Sequence, residues 1–183
     1  MQTDPLPLRH GRAVLRRLDE QDLAAFRAYR TDPEVARYQD WAPMDMDTAR
    51  AFLREARAAP AFPAGWWQVA IAREDGRLAG DLGLCLANDG SEVELGITLA
   101  RSAQGMGLGV DAVRGAAELV WRGTRARRIR VITDARNAPA LRLIARLGLA
   151  RTGTLTDRGY PEPTFELPRP AGPTEGTAAP AAC

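Results

Sequence analysis

The sequence predicts an α+β chain, α/β in the broad sense, and three observations carry that expectation. Residues 66 to 99 hold three strand-like runs joined by Asp75-Gly76 and Asp89-Gly90, dipeptides that favour tight hairpins. Amphipathic helical segments precede and follow this antiparallel meander. A glycine-rich stretch, Gln104-Gly105-Met106-Gly107-Leu108-Gly109, joins the last of its strands to a helix.

Residues 11–18 read as a first strand. Asp19, with Asp22 three residues on, gives a capping-box-like start to a helix across 20–30, where Leu23, Phe26 and Arg30 mark one face. Asp32-Pro33 opens a short helix, because aspartate caps and proline is tolerated in the first turn. Residues 45–59 repeat Ala49, Phe52, Leu53 and Ala56 at helical spacing. Strands are expected over 66–73, 78–87 and 92–99. After the glycine turn, Val110, Val113, Ala117 and Val120 line one helix face up to Trp121. A strand over 128–133 and a helix over 137–147 follow, the latter closed by Gly148 as a C-cap. Short strands over 149–155 and 164–167 complete a single domain at 1–168. Residues 169–183, rich in proline, alanine and glycine, are expected to form a disordered tail.

Composition narrows the function. A chain of 183 residues with 45% apolar and 26% charged content suits one globular domain. A net charge of +2 does not suit a polyanion binder, so no nucleic-acid partner is expected. All 25 basic residues are arginine, which reads as a coding bias and leaves the N-terminus as the chain's one amine. Two cysteines make neither a disulfide framework nor a metal site, and Cys85, in an apolar run, is most simply a small core residue. The single histidine, His10, rules against a His-based triad. Residues 1–17 hold no stretch apolar enough for a signal peptide or membrane span, so a cytoplasmic protein without a membrane partner is expected.

The glycine turn is the informative segment. Glycine lets backbone N–H groups approach an anion, and a helix N-terminus adds partial positive charge, so a pyrophosphate fits there without a charged side chain. Phosphate-loop NTPases need Lys-Ser or Lys-Thr at the helix start, where this chain has Val110-Asp111. Residues Gly107 to Ala112 do satisfy G-x-G-x-x-A, and Asp134 ends the next strand where a ribose-binding acid would stand. The antiparallel meander argues against that dinucleotide alternative.

Gln104-x-x-Gly107-x-Gly109 resembles the acetyl-CoA motif of the GNAT superfamily of N-acetyltransferases. The resemblance extends to Thr31-Asp32-Pro33-Glu34-Val35, Tyr38, Trp41, Pro43, Ala49, Phe52 and Leu53, as in the RimJ/RimL-type branch. It continues through Glu94-Leu95-Gly96-Ile97-Thr98-Leu99, Asn137 to Leu143 and Leu147-Gly148-Leu149, covering residues 12 to about 155 in order. It implies a mixed, mostly antiparallel central sheet with helices on both faces, whose fourth and fifth strands splay into a V-shaped cofactor cleft. It also implies transfer of an acetyl group from acetyl-CoA, without a metal, to a primary amine: a protein N-terminus or a small molecule. Homodimers occur among such relatives. By resemblance Ile97, Thr98 and Leu99 bond the pantetheine arm, Gln104, Gly105, Met106, Gly107, Leu108 and Gly109 hold the pyrophosphate, and Asn137 faces the cofactor or simply caps its helix.

Acetyl transfer needs a neutral amine, an acceptor for its proton and a donor for the oxyanion. Glu94 is the candidate base by resemblance, since it lies ten residues before Gln104, where this branch often places a glutamate; Glu92, Glu94 and Thr98 share one strand face while Val93, Leu95 and Ile97 take the other. Glu92 is the fallback, and a backbone N–H near Ile97 or Thr98 the oxyanion donor. Where many relatives carry a tyrosine acid this chain has Ile144, leaving Tyr160 as the candidate acid, with Tyr38 a weaker one. Trp41 and Tyr38 are candidate acceptor contacts, ahead of Trp66 and Trp67. The run Arg122, Arg125, Arg127, Arg128, Arg130 reads first as a solvated face and second as a partner for the 3′-phosphate of CoA. With the usual tyrosine missing, a catalytically weak acyl-CoA-binding or regulatory domain is the alternative.

Overall fold

The computed structural model describes residues 4–39, 41–42, 44–156 and 159–171. Pro43 and the tail from residue 172 onward lie outside them. Among the described residues eight strands form one sheet: β1 (Leu8–His10), β2 (Ala13–Arg16), β3 (Trp66–Ala72), β4 (Leu78–Leu86), β5 (Glu92–Leu99), β6 (Arg128–Ile132), β7 (Ala150–Leu155) and β8 (Glu162–Pro168). Their order is β1-β2-β3-β4-β5-β6-β8-β7. Every pairing is antiparallel except β5 with β6, which is parallel. Five helices accompany the sheet: α1 (Leu23–Arg30), α2 (Pro33–Ala36), α3 (Met46–Ala58), α4 (Leu108–Gly123) and α5 (Ala138–Leu147).

The capping residues act as expected. Asp19 and Asp22 form a reciprocal capping box at a single 3-10 turn before α1, and the side chains of Asp32, Asp45 and Asn137 accept first-turn N–H groups of α2, α3 and α5. Gly148 ends α5 in the left-handed conformation at φ 69°. One expectation needs correction: the first strand is a hairpin. Residues 8–10 form β1, and Gly11 at φ 54° turns the chain into β2.

The alternation of strand side chains builds two cores on opposite faces. Leu15, Val69, Ile71, Leu82, Leu84, Val93 and Leu95 pack with Ala112, Val113, Ala116 and Val120 of α4. Leu18 and Ala70 pack on the other face with Phe26, Tyr29, Leu53 and Ala56 of α1 and α3. Trp67 is fully buried in the first core, and Trp66 points away from it. Cys85 follows the same rule: Leu84 is buried, while Cys85 turns to the opposite face and is half-buried rather than a core residue.

Strands β5 and β6 pair only from Glu92↔Arg128 to Glu94↔Arg130. Beyond that rung β5 keeps its register with β4 as far as Leu99↔Gly80, while β6 continues with β8 through Val131↔Phe165 and Ile132↔Thr164. The sheet therefore opens into a V whose apex is Glu94–Arg130. The residue after β8 is tied down: the Arg169 guanidinium donates to the carbonyls of Trp121, Thr124 and Ala126 at 2.8–2.9 Å, covering the C-terminal end of α4.

Candidate active site

The V leads into a cleft of about 240 Å³ whose walls come from four elements. The free edge of β5 contributes Ile97, Thr98 and Leu99, and the glycine turn contributes Gln104, Gly105, Gly107 and Gly109. Helix α5 adds Asn137, Arg142, Leu143 and Arg146, and the α2 region adds Glu34, Val35, Tyr38 and Gln39.

Local chemistry explains the turn. Gly105 and Gly107 adopt φ of 78° and 83°, a region other residues enter with strain. No atom lies within 4 Å of a Cβ built on Gly105, so the turn presents bare backbone. The N–H groups of Leu108 and Gly109 open α4 and have no intrahelical acceptor, and they point out of its positive end. Gly109 brings α4 close to its neighbours: a Cβ there would stand 3.2 Å from Leu99 and 3.4 Å from Leu143. Gln104 spends its side chain on the turn itself, donating from Nε2 to the Leu99 carbonyl at 3.1 Å. Met106 is exposed and accepts a 2.7 Å bond at its carbonyl from Arg12 Nη1, whereas the Leu108 side chain is buried in the core.

Glu94 lies at the apex and does not line the cleft. Its Oε2 accepts from Arg130 Nη2 at 3.0 Å, and Oε1 has no donor among the described residues. Glu92 is held by Arg128 at 2.7 Å and approaches Arg130 at 3.5 Å. Cys85 is the register partner of Glu94. Burial, then the Glu94 charge, push its thiol above the ordinary range.

Of the remaining candidates, Tyr38 lines the cleft, while Trp41 stacks on the Arg30 guanidinium at 4.0 Å and does not. Arg30 also packs over Phe26 and bonds Asp81 at 2.7 Å, and Tyr29 donates to the same carboxylate at 2.7 Å. Burial raises Asp81 against the opposing pull of Arg30 and Tyr29, and burial followed by the Asp81 charge lifts Tyr29 well above the usual phenol range. Tyr160 stands outside the cleft lining under the Arg136 guanidinium at 4.8 Å. Arg136 makes a bidentate pair with buried Asp134, whose carboxyl is held below the usual range by that bond. Asp134 is thereby occupied, and the antiparallel sheet removes the other premise of a dinucleotide fold.

The central arginine run contributes no residue to the cleft: Arg122 pairs with Glu118, and Arg128 and Arg130 pair with Glu92 and Glu94. Its cations are instead Arg142 and Arg146, one helical turn apart on α5. Sequence reading missed them, although their i,i+4 spacing after Asn137 was the available signal. Glu34 was also missed as a lining residue. Among the described residues no group of three or more histidine, cysteine or acidic side chains is placed to hold a metal. None of their helices is long and apolar enough to cross a membrane.

Comparison with known proteins gives this geometry a context. The family model described as "Acetyltransferase (GNAT) domain" matches residues 12–150. Among solved structures, a GNAT-family acetyltransferase from Bacillus anthracis superposes with a TM-score of 0.76 at 15% identity, covering 88% of this chain and 97% of that one. RimJ of Mycobacterium smegmatis, solved with CoA-disulfide, gives 0.73 at 17% identity over 89% and 88%. Spermidine N-acetyltransferase of Vibrio cholerae, solved with CoA and spermine, gives 0.71 at 16% over 86% and 95%. No curated protein matches the sequence.

Proposed function

The chain belongs to the GNAT acetyltransferase family, and from that premise we propose that it transfers the acetyl group of acetyl-CoA to a primary amine by direct attack, in the manner of RimJ/RimL-type enzymes. The observation that carries this is the parting of β5 from β6 beyond Glu94↔Arg130, which leaves an unpaired strand edge beside a glycine turn in one cleft. Similarity to structures named for RimJ and for spermidine N-acetyltransferase supports an amine as acceptor, either a protein N-terminus or a small molecule.

The residues present fit acetyl-CoA. The free edge from Ile97 to Leu99 offers peptide groups to an amide-bearing pantetheine arm. The open backbone at Gly105 and Gly107, with the first N–H groups of α4, suits a pyrophosphate. Arg142 and Arg146 supply the positive charge that the turn itself lacks. Asn137 caps α5 and lines the same cleft, so its cap is compatible with the proposed cofactor contact.

In the reaction the amine nitrogen bonds to the thioester carbonyl carbon, the C–S bond breaks, and the amine proton passes to Glu94 directly or through water. A backbone N–H near Ile97 or Thr98 stabilises the developing oxyanion. The thiolate leaves with the C–S bonding pair and is protonated from solvent, Tyr160 standing outside the cleft lining. Ordinary thiols ionise near 8.5, so this departure does not demand a strong acid.

Calorimetric titration with acetyl-CoA, beside NADH and ATP, tests the assignment. Selective acetyl-CoA binding, lost when Gly107 and Gly109 are replaced by valine, is expected. Absence of acetyl-CoA binding would remove the enzymatic assignment, and binding without turnover on any amine would favour a binding or regulatory domain.

A further inference from the structure

Beside the apex of the V, on the sheet face away from α4, lies a patch that the cofactor cleft does not use. Strand register places Trp66, Cys85 and Glu94 in one row across β3, β4 and β5. The next row is Gln68, Gly83 and Gly96. The two glycines have different reasons for being there. A Cβ on Gly83 would stand 2.9 Å and 3.1 Å from Cε3 and Cζ3 of Trp66, so the indole lies down on that backbone. Gly96 has no atom within 4 Å of its Cβ position and is exposed, leaving open floor between the indole and Glu94.

The groups around that floor share one chemical preference. Trp66 is 49% exposed, although large aromatics on a sheet usually bury themselves as Trp67 does. Gln68, with its amide turned so that both ends are satisfied, donates from nitrogen to Asp81 Oδ2 at 3.0 Å and to the Leu82 carbonyl at 3.2 Å. That leaves its oxygen over Gly83. An amide oxygen carries a second lone pair for a further donor, and Glu94 Oε1 is an acceptor without a donor among the described residues. The ion-paired groups around the patch are Asp81, Glu92, Glu94 and Glu166 against Arg30, Arg128 and Arg130, four carboxylates to three guanidiniums, a net charge of −1. A π face, an amide oxygen and a carboxylate oxygen together suit a cation carrying N–H donors.

We propose that Trp66, Gln68 and Glu94, around the bare backbone of Gly83 and Gly96, form the subsite that receives the acceptor as a primary ammonium. This rests on the amine-acetyltransferase assignment and deepens it. The ammonium docks against the indole and the two oxygens, Glu94 takes one proton and passes it to solvent, and the neutral amine advances past Gly96 toward Thr98, on the same strand face and in the cleft lining, so that Glu94 is a carboxylate again when attack releases the second proton. Trp66 and Gln68 act as specificity residues and carry no proton.

Cys85 provides a reporter, because it is the register neighbour of both Trp66 and Glu94. In the full chain carrying Cys183→Ala, Cys85 is the one remaining thiol, and its alkylation by iodoacetamide at about pH 7, where a peptide α-amine is mostly ammonium, can be followed by mass spectrometry. Spermidine and the hexapeptide amide Ser-Ala-Ala-Ala-Ala-Ala serve as two sources of a primary ammonium. At least one is expected to slow alkylation about threefold, the N-acetylated peptide is expected to have no effect, and Trp66→Ala or Gln68→Leu is expected to abolish the protection. Where turnover is measurable, Trp66→Ala raises the acceptor KM about tenfold, Trp66→Phe recovers most of that loss, and acetyl-CoA affinity holds in both. Alkylation indifferent to both amines, or protection that survives Trp66→Ala, overturns the subsite. Acetyl-CoA binding with unprotected Cys85 removes the subsite and spares the enzymatic assignment. Amine protection without acetyl-CoA binding does the reverse.

Discussion

The carboxylate of Asp111 fills the space in front of Gly11: a Cβ on Gly11 would stand 2.5 Å from Asp111 Cγ. The same carboxylate accepts from the Arg12 N–H at 3.0 Å, and Arg12 Nη1 reaches the Met106 carbonyl at 2.7 Å. The hairpin between β1 and β2 is thus latched to the glycine turn at the start of α4. Replacement of Gly11 by alanine brings both a clash and a left-handed φ that alanine resists, at a cost of about 2 kcal/mol. Urea denaturation should register that loss together with weaker acetyl-CoA binding. An unchanged midpoint would mean that the latch has no energetic weight.

Glu94→Gln keeps the volume of the apex carboxylate and removes its ability to take a proton. Turnover is expected to fall about 10²-fold near neutral pH, with acetyl-CoA affinity retained. Glu92→Gln should cost much less, since Glu92 is committed to Arg128. Full activity in Glu94→Gln would transfer the role of base elsewhere.

Arg142 and Arg146 are expected to meet phosphate. Alanine at either position should weaken acetyl-CoA binding about tenfold, the scale of a charge-assisted hydrogen bond. If the contact is with the 3′-phosphate, the variants will bind 3′-dephospho-CoA as well as the parent does. An equal loss for both ligands would assign the contact to the pyrophosphate.

Asp81→Asn leaves the Arg30 guanidinium buried without its countercharge, and a loss of about 3 kcal/mol is expected. Tyr29→Phe removes one neutral donor from the same network and should cost about 1 kcal/mol. Equal losses in chemical denaturation would mean that the ion pair adds nothing beyond the hydrogen bond.

The Asp134–Arg136 pair sets a pH dependence. Arg136 lowers the carboxyl of Asp134, so the pair's contribution is fully present above the ordinary carboxylate range and fades as pH falls through the depressed value. The stability difference between wild type and Asp134→Asn should be constant above about pH 5 and shrink toward pH 2. A difference that grows on acidification would contradict the pairing.

Much of this was legible because local chemistry and tertiary demand agree. Asp75-Gly76 and Asp89-Gly90 state the hairpins outright, and Asp19, Asp32, Asp45 and Asn137 announce helix starts that the fold uses. β1 was invisible because it spans three residues and its turn is Gly11-Arg12, without the usual asparagine or aspartate. At the site, the glycine turn was readable because the backbone itself demands glycine there. The convergence of Glu34, Tyr38, Arg142 and Arg146 on one cleft was not, since it depends on how α2 and α5 pack around the sheet. Trp66 and Trp67 carry the same letter and opposite fates, decided by which side of β3 each side chain leaves.

The dissolved pairing beyond Glu94 and Arg130 has a consequence for how such a sequence can vary. The grip proposed along Ile97 to Leu99 would offer the same peptide donors and acceptors whichever side chains occupy those positions. On that proposal side chains there would be free to drift under packing alone, while the ability to hold a cofactor would be inherited through the path of the backbone. The chemically demanding letters shrink to a few: the glycines of one turn, and whatever carboxylate stands where two strands let go of each other.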